Sequence, residues 1–274
     1  MTKTRVLTAL ALLLPSLSVA PGVAAEALED AVSRGTLQVG IASENLVPWL
    51  ANDKTGGRMG YEIDVASAVA GSLGVDLTFV EMPYDELFAS LKAGDVDVII
   101  SGVSISADRA REVYFSSPYG GTDFTLVVDK TGLPEGAAGS GYDHEGIRIG
   151  VLKGSIAEAT ATNDFKSSEL VPYEDPAAMR DAFLDGSVSG AIVPTPYPAF
   201  IVARDPGRYA AEETPLVSTR QGMVTRPDSP HMLNFLNAWI VENEANGFLE
   251  DLQVYWFESG EWLDMLEGYS EKAE

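Results

Sequence analysis

Val75-Asp76-Leu77-Thr78-Phe79-Val80, then Tyr84 to Lys92 closing at Ala93-Gly94, then Val96-Asp97-Val98-Ile99-Ile100: these consecutive stretches decide the fold class. The first alternates apolar and polar residues, the period of a half-buried strand. The second reads as a short helix, and the third as a buried strand. Upstream, Thr36-Leu37-Gln38-Val39-Gly40-Ile41 reads as another strand. Between the two, Ile63, Val65, Ala66, Val69, Ala70 and Leu73 recur at helical spacing and stop at Gly74, a suitable C-cap. The order β-α-β-α-β predicts a mostly parallel sheet covered by helices.

The plan restarts downstream. Ile147 to Leu152 reads as a strand, Ile156 to Ala161 starts a helix, and Leu170 to Tyr173 is a short strand. Pro176 to Leu184 is a helix with Asp175 as N-cap and Pro176 at its first position. Gly190 to Val193 is a further strand. Lys130 to Gly141, rich in glycine and carrying Pro134, is a loop between the two α/β units. Met232 to Met265 reads mainly as helix broken at Gly247, its aromatics belonging to the core, and the polar tail after Glu267 is expected to fray.

The 274 residues suffice for one or two domains, and 46% hydrophobic with 22% charged residues is an ordinary globular composition. Lys3 and Arg5, the apolar run Val6 to Leu14 and the small residues ending Gly22-Val23-Ala24-Ala25 follow the order of a secretory signal peptide. Residues 1–25 are expected to be removed after Ala24 or Ala25, because the run is too short to span a bilayer. Localisation in the periplasm as a soluble protein is the expectation. The sequence contains no cysteine, so neither a lipid anchor nor a disulfide is available. A net charge of −23, spread along the chain, argues against nucleic-acid binding, which needs lysines and arginines at phosphates.

Several chemistries lack their residues. The two histidines, His144 and His231, come with no cysteines, and Asp143-His144-Glu145 reads as a surface loop before it reads as a cation site. Gly150 to Gly154 contains no serine, so there is no nucleophile elbow, and no phosphate-binding loop motif is present. The specific signal is Ser101-Gly102-Val103-Ser104-Ile105-Ser106-Ala107-Asp108-Arg109-Ala110-Arg111, followed by Tyr114-Phe115-Ser116-Ser117-Pro118-Tyr119. It begins where a buried strand ends, the edge at which open α/β sheets bind ligands. Gly102 permits close approach, Ser106 suits an N-cap, and Arg109 offers a planar fork matched to a carboxylate. The same spacing also suits a surface helix residue at Arg109.

The run Gly102-x-Ser104-x-Ser106-x-x-Arg109 with Phe115-Ser116-x-Pro118-Tyr119 resembles the polar amino-acid-binding class of bacterial solute-binding proteins, family 3. So do Gly60 to Val65, Leu91 to Asp97 and Val151-Leu152-Lys153-Gly154-Ser155, in the family's order over much of the chain. The resemblance implies the type II periplasmic-binding-protein fold, two α/β lobes joined by two crossing strands. Lobe one would comprise residues 26–121 and 223–274 and lobe two 124–220, with hinges near 121–123 and 221–222. It implies capture of a small carboxylate-bearing solute by a monomer and delivery to an inner-membrane ABC permease, with no metal or cofactor. By the same resemblance Arg109 clamps the carboxylate, and Ser104 and the Gly154-Ser155 turn supply amides to it. Gly102 offers a carbonyl, and Tyr84 stacks on the ligand. Trp49 lies near the first-loop aromatic, with Leu46 in the stacking position itself.

Departures from the pattern bear on the ligand. Where the family holds the α-ammonium with an acid at the second-lobe strand end, this chain has Pro194. The first-loop acid is Ser43, with Glu44 adjacent, and Ile156 replaces a hydroxyl residue after the turn. A buried ammonium without its carboxylate is costly, which points to an organic acid, a cyclic imino acid or a compatible solute, unless Glu44 supplies the charge. Two other roles share the scaffold: a dehydratase-like enzyme and a sensor or adaptor for a membrane receptor. Leu152 to Ala157 does not match the acid-bearing turn of the dehydratases.

Overall fold

The computed structural model describes residues 26–137 and 141–267. The expected signal segment and the polar tail lie outside the described residues, as do residues 138–140 of the Lys130 to Gly141 loop.

Helix α1 (Ala27–Arg34) leads into β1 (Thr36–Ala42). A small hairpin, β2 (Ala51–Asn52) and β3 (Arg58–Met59), precedes α2 (Tyr61–Leu73) and β4 (Asp76–Met82). A 3-10 turn at Tyr84–Glu86 runs into α3 (Leu87–Ala93), followed by β5 (Val98–Ile99), a 3-10 turn at Arg109–Arg111 and β6 (Tyr114–Phe115). The long β7 (Gly120–Asp129) opens a second unit: β8 (Arg148–Leu152), α4 (Ile156–Asp164), β9 (Glu169–Tyr173), α5 (Pro176–Leu184) and β10 (Gly190–Pro194). It continues through α6 (Tyr197–Arg204), β11 (Tyr209–Ala211) and β12 (Val217–Gln221). The chain then returns as β13 (Val224–Thr225), α7 (Pro230–Ala245) and α8 (Phe248–Val254), ending in a π turn at Tyr255–Ser259.

Besides the β2–β3 hairpin, two larger sheets form among the described residues, one per lobe. The first has the order β4-β1-β5-β13-β6, with β1 parallel to both neighbours and β13 antiparallel. The second has the order β11-β7-β10-β8-β9, with β12 also on β7. There β8 runs parallel to β9 and β10, while β7 is antiparallel to β10, β11 and β12. Alternation sorts the second core onto two faces: Leu126, Val128 and Ile192 pack with α4, whereas Val127, Ala191 and Val193 pack with Met179 and Phe183 of α5.

Observed elements follow the sequence expectations with physical adjustments. Asp175 caps α5 by accepting from the Ala177 and Ala178 amides, and Gly74 ends α2 in the left-handed region at φ 75. The strand read over Val96 to Ile100 is laddered only at Val98 and Ile99, with single bonds from Asp97 N to Gln38 O and Ile100 N to Gly40 O extending it. Its one charged residue, Asp97, is buried and accepts from the Gln38 amide and from Arg34.

Gly60 fixes the first loop. The amides of Tyr61 and Glu62, which open α2, donate to the carbonyls of Pro48 and Trp49 at 3.0 and 3.1 Å. This contact requires Gly60 at φ 132, with a hypothetical Cβ only 2.3 Å from the Trp49 oxygen. Gly60→Ala is therefore expected to lower stability by about 3 kcal/mol or more in chemical denaturation. A cost under about 1 kcal/mol would show that the loop can be displaced freely.

Glu62 is fully buried beside the strands that join the lobes. Tyr119 donates its hydroxyl to Glu62 Oε2 at 2.6 Å, and Tyr61 donates its own to the Tyr119 carbonyl at 2.7 Å. Burial pushes the Glu62 carboxyl up to about 7, with the Tyr119 hydrogen bond and the Gly102 backbone opposing. The folded state thus retains a proton that the unfolded chain releases near the ordinary glutamate value of 4.5. Stability from this group is present at low pH and lost as pH rises to about 7. Glu62→Gln should abolish that loss: the variant's unfolding midpoint gains on wild type between pH 5 and 8, read by thermal unfolding. A constant gap across that range would refute the assignment.

Candidate functional site

In a parallel sheet the loops after the strands' carboxyl ends form the natural crevice. Both lobes turn those ends toward one cavity. From lobe one, Glu44 follows β1, Tyr84 follows β4, and Ser101, Gly102 and Ser104 follow β5. From lobe two, Ser155 follows β8, Glu174 follows β9 and Pro194 ends β10. The crossing strands contribute Thr122, Phe124 and Gln221. The cavity volume is ≈ 80 Å³, room for roughly five to eight water-sized groups. A more open groove of ≈ 600 Å³ runs along the same crossing strands against the C-terminal helices and meets the ends of the parallel strands only at Thr195, after β10.

Seven of the nine residues singled out from the sequence line this cavity: Glu44, Trp49, Tyr84, Gly102, Ser104, Ser155 and Pro194. Trp49 is mostly committed to the core, its ring 4.3 Å from that of Phe257 and edge-on to Tyr61 at 5.9 Å. Leu46 stands beside it in the lining. Arg109 and Gly154 do not line the cavity; they meet at its rim. The Arg109 guanidinium lies over the Phe88 ring and donates to the Ser104 carbonyl at 2.8 Å and to the Gly154 carbonyl at 2.9 Å, one bond to each lobe. It is neither a plain surface residue nor a side chain projecting into the cavity.

The backbone around Ser104 is set by its pairing with Gln221. Ile105 N donates to Arg220 O and Gly222 N to Val103 O, so the amide of Ser104 points away from that strand. Ser106 Oγ accepts from the Arg109 amide at 3.3 Å, the cap expected from the sequence, although the helix is only a 3-10 turn.

The second-lobe turn corrects an expectation. The Gly154 amide is engaged by Glu158 Oε2 at 2.7 Å, and the Ser155 amide by the Leu152 carbonyl at 3.2 Å. Ser155 Oγ accepts from Glu158 N at 3.1 Å as the N-cap of α4, while the Glu158 side chain reaches back one residue further, to the Gly154 amide. What this segment presents to the cavity is the N-terminal end of α4, through Ser155 and Ala157.

Three oxygens at the cavity lack a hydrogen-bond partner among the described residues: Glu44 Oε2, Thr122 Oγ1 and Gln221 Oε1. Glu44 Oε1 accepts from the Tyr84 amide at 3.3 Å. The nearby Arg58 donates from its terminal nitrogens to Asn45, Asn52 and the Ala42 carbonyl, and its charge interacts with Glu81 and Glu44. Thr122 and Gln221 were missed as site residues because nothing local distinguishes them. Their signal is position, since both fall within the spans read from the sequence as hinges.

Comparison with known proteins agrees with this geometry. The family model described as bacterial extracellular solute-binding proteins, family 3, matches residues 37–259. The L-cystine-binding protein TcyJ of Escherichia coli K12 is 25% identical over 84% of this chain and 85% of its own length. The histidine-binding periplasmic protein of Salmonella typhimurium is 27% identical over 77% of this chain and 84% of its own. Among solved structures, an ancestral amino acid-binding protein, AncCDT-1, a precursor of cyclohexadienyl dehydratase, superposes with TM-score 0.76 at 26% identity, covering 85% of this chain and 100% of that one. A putative ABC-transporter binding component from Wolinella succinogenes, complexed with lysine, gives TM-score 0.75 at 28% identity, covering 84% and 99%.

Proposed function

The chain belongs to family 3 of the bacterial extracellular solute-binding proteins, and from that premise we propose that it is the capture component of an ABC importer. It closes two lobes over a small carboxylate-bearing solute in the periplasm and presents the closed form to an inner-membrane permease. The carrying observation is the Arg109 bridge, a single guanidinium holding one carbonyl of each lobe at the rim of a cavity that both lobes line.

Several features support a carboxylate there. Two of the five N–H donors of Arg109 meet the carbonyls, which leaves three for an anion. The N-terminal end of α4 adds the positive end of a helix dipole, and the Ser104 amide faces away from its paired strand. Arg109 is then both latch and clamp. The relatives named for cystine and histidine support an amino-acid-like solute. None of these features calls for a catalytic group, and binding without turnover is the reading they favour.

The hinges are residues 121–123 and 221–222, where the β7–β12 ribbon crosses. Apart from that ribbon, contacts between the lobes among the described residues include Arg109, an exposed Lys153–Asp85 pair at 3.7 Å and the Tyr197 hydroxyl of α6 against the Val47 backbone. An exposed pair of this kind contributes under about 1 kcal/mol. Closure is thus held weakly enough for a solute's own contacts to shift the equilibrium.

A thermal-shift screen of small carboxylates against the mature protein, followed by calorimetry, identifies the solute class. Arg109→Ala should weaken the best carboxylate by about 10- to 100-fold. Lys153→Ala should change it by less than about fivefold. Undiminished binding by the Arg109 variant would remove the basis of this reading.

A further inference from the structure

Glu62 is a fully buried carboxyl that does not itself line the cavity. It stands between two parts of the clamp. On one side is Gly102, which lines the cavity at φ 64, and a Cβ there would lie 3.7 Å from Glu62 Oε1. On the other is Tyr119, the residue before β7, whose hydroxyl donates to Glu62 Oε2 at 2.6 Å. Tyr119 N also donates to the Gln221 carbonyl at 3.1 Å, so one residue pins the start of the first crossing strand to the end of the second. Glu62 Oε1 has no hydrogen-bond partner among the described residues.

Among the described residues no cation faces this carboxyl. The ionisable groups that face it are hydroxyls, Tyr119 ahead of β7 and Tyr61 of α2, and burial with the Glu62 charge pushes both of them up. Asp64, further along α2, accepts from Trp256 at 2.8 Å, and the charge of Arg58, ahead of α2, interacts with Glu81 and Glu44. From the exit of β5 the carboxyl meets the Gly102 backbone. Burial penalises the charged form, and here hydrogen bonds alone oppose it, which is why the carboxyl is pushed up to about 7. Separating the lobes opens the cavity wall at Gly102 to water. Hydration beside Glu62 removes part of that penalty, so the proton is held more tightly with the lobes together than with them apart.

We propose that Glu62 is a positioning residue of the clamp, tying the cavity edge at Gly102 to the crossing strands through Tyr119, and that closing the lobes takes up a proton on its carboxyl. The inference rests on the reading that the lobes close over the cavity. Ionised, Glu62 accepts from the Tyr119 hydroxyl and draws on the Gly102 backbone. Protonated, it keeps the Tyr119 bond and loosens its hold on Gly102. Closure and protonation then favour one another by the same factor. The closed form has the higher pKa, so the added affinity is complete at low pH and is lost as pH rises through about 7. A solute with no titrating group of its own is held more tightly at about pH 6 than at about pH 8.

The chain has no cysteine, so the lobes can be fastened chemically. Asp85→Cys and Lys153→Cys place thiols at the exposed pair that faces across the lobes. Bridging them with a short bis-maleimide holds the lobes together, and capping each with N-ethylmaleimide gives the unbridged control. Infrared titration without any solute follows the protonated-carboxyl band that Glu62→Gln removes. The bridged protein should titrate at least about 0.5 pH unit above the control, about threefold in proton affinity. Tyr119→Phe removes a donor to the ionised form and should raise the midpoint in both proteins, which identifies the band even if Glu62→Gln fails to fold. Equal midpoints in bridged and control protein overturn the proposal, as does the absence of a Glu62 band between about pH 5 and 8. A midpoint unmoved by Tyr119→Phe severs the carboxyl from the crossing strand and overturns it too. If the midpoints are equal while carboxylates still bind through Arg109, capture stands and this inference alone is lost.

Discussion

A parallel strand must be followed by a crossover over the face of its sheet, so the segments after the carboxyl ends of neighbouring parallel strands gather at one edge. Here two such edges face each other. Glu44, Tyr84 and Ser101 to Ser104 leave the first sheet, while Ser155, Glu174 and Pro194 leave the second. The cavity is the space between them, and its chemistry follows from which side chains fall within the first few positions after each strand. The antiparallel additions, β13 and β6 in one sheet and β7 in the other, return and join the chain without blocking that edge.

A single ladder of crossing strands is the covalent and hydrogen-bonded link between the two edges. The two crossing strands form one ladder, from Gly120 opposite Gln221 to Phe124 opposite Val217. Its first-lobe end is anchored by buried hydrogen bonds: Tyr119 N to Gln221 O, Tyr61 to the Tyr119 carbonyl, and Tyr119 to Glu62. A fully buried carboxylate costs desolvation, and the protein places it where two tyrosines and the Gly102 backbone surround it. The same α2 start takes the Pro48 and Trp49 carbonyls, so one helix end positions both the first cavity loop and the crossing region.

Hydrogen-bond partners are unevenly distributed around the cavity. Glu158 of α4 takes the Gly154 amide, and Lys153 pairs with Glu174, the lobe-two acid at the cavity. Glu44, Thr122 and Gln221 keep unmet oxygens at an apolar-walled cavity.

Much of this protein is local and therefore written in its sequence. Apolar periods of two and of about 3.6 residues, with Gly74, Gly94 and Asp175 as caps, specify the strands and helices, because backbone preference and burial of one face act over a few residues. The segment Gly102 to Arg109 marked a ligand edge for the same reason: a strand end, a flexible glycine and a fixed cation lie within one short run. Tertiary structure alone decided the rest. Arg109 reaches a carbonyl 45 residues away at the rim, and the Gly154 amide is lost to Glu158 rather than left for a solute. Thr122 and Gln221 become neighbours only because two distant strands pair. Which polar atoms go unsatisfied depends on the packing of both lobes at once, and no local pattern encodes that sum.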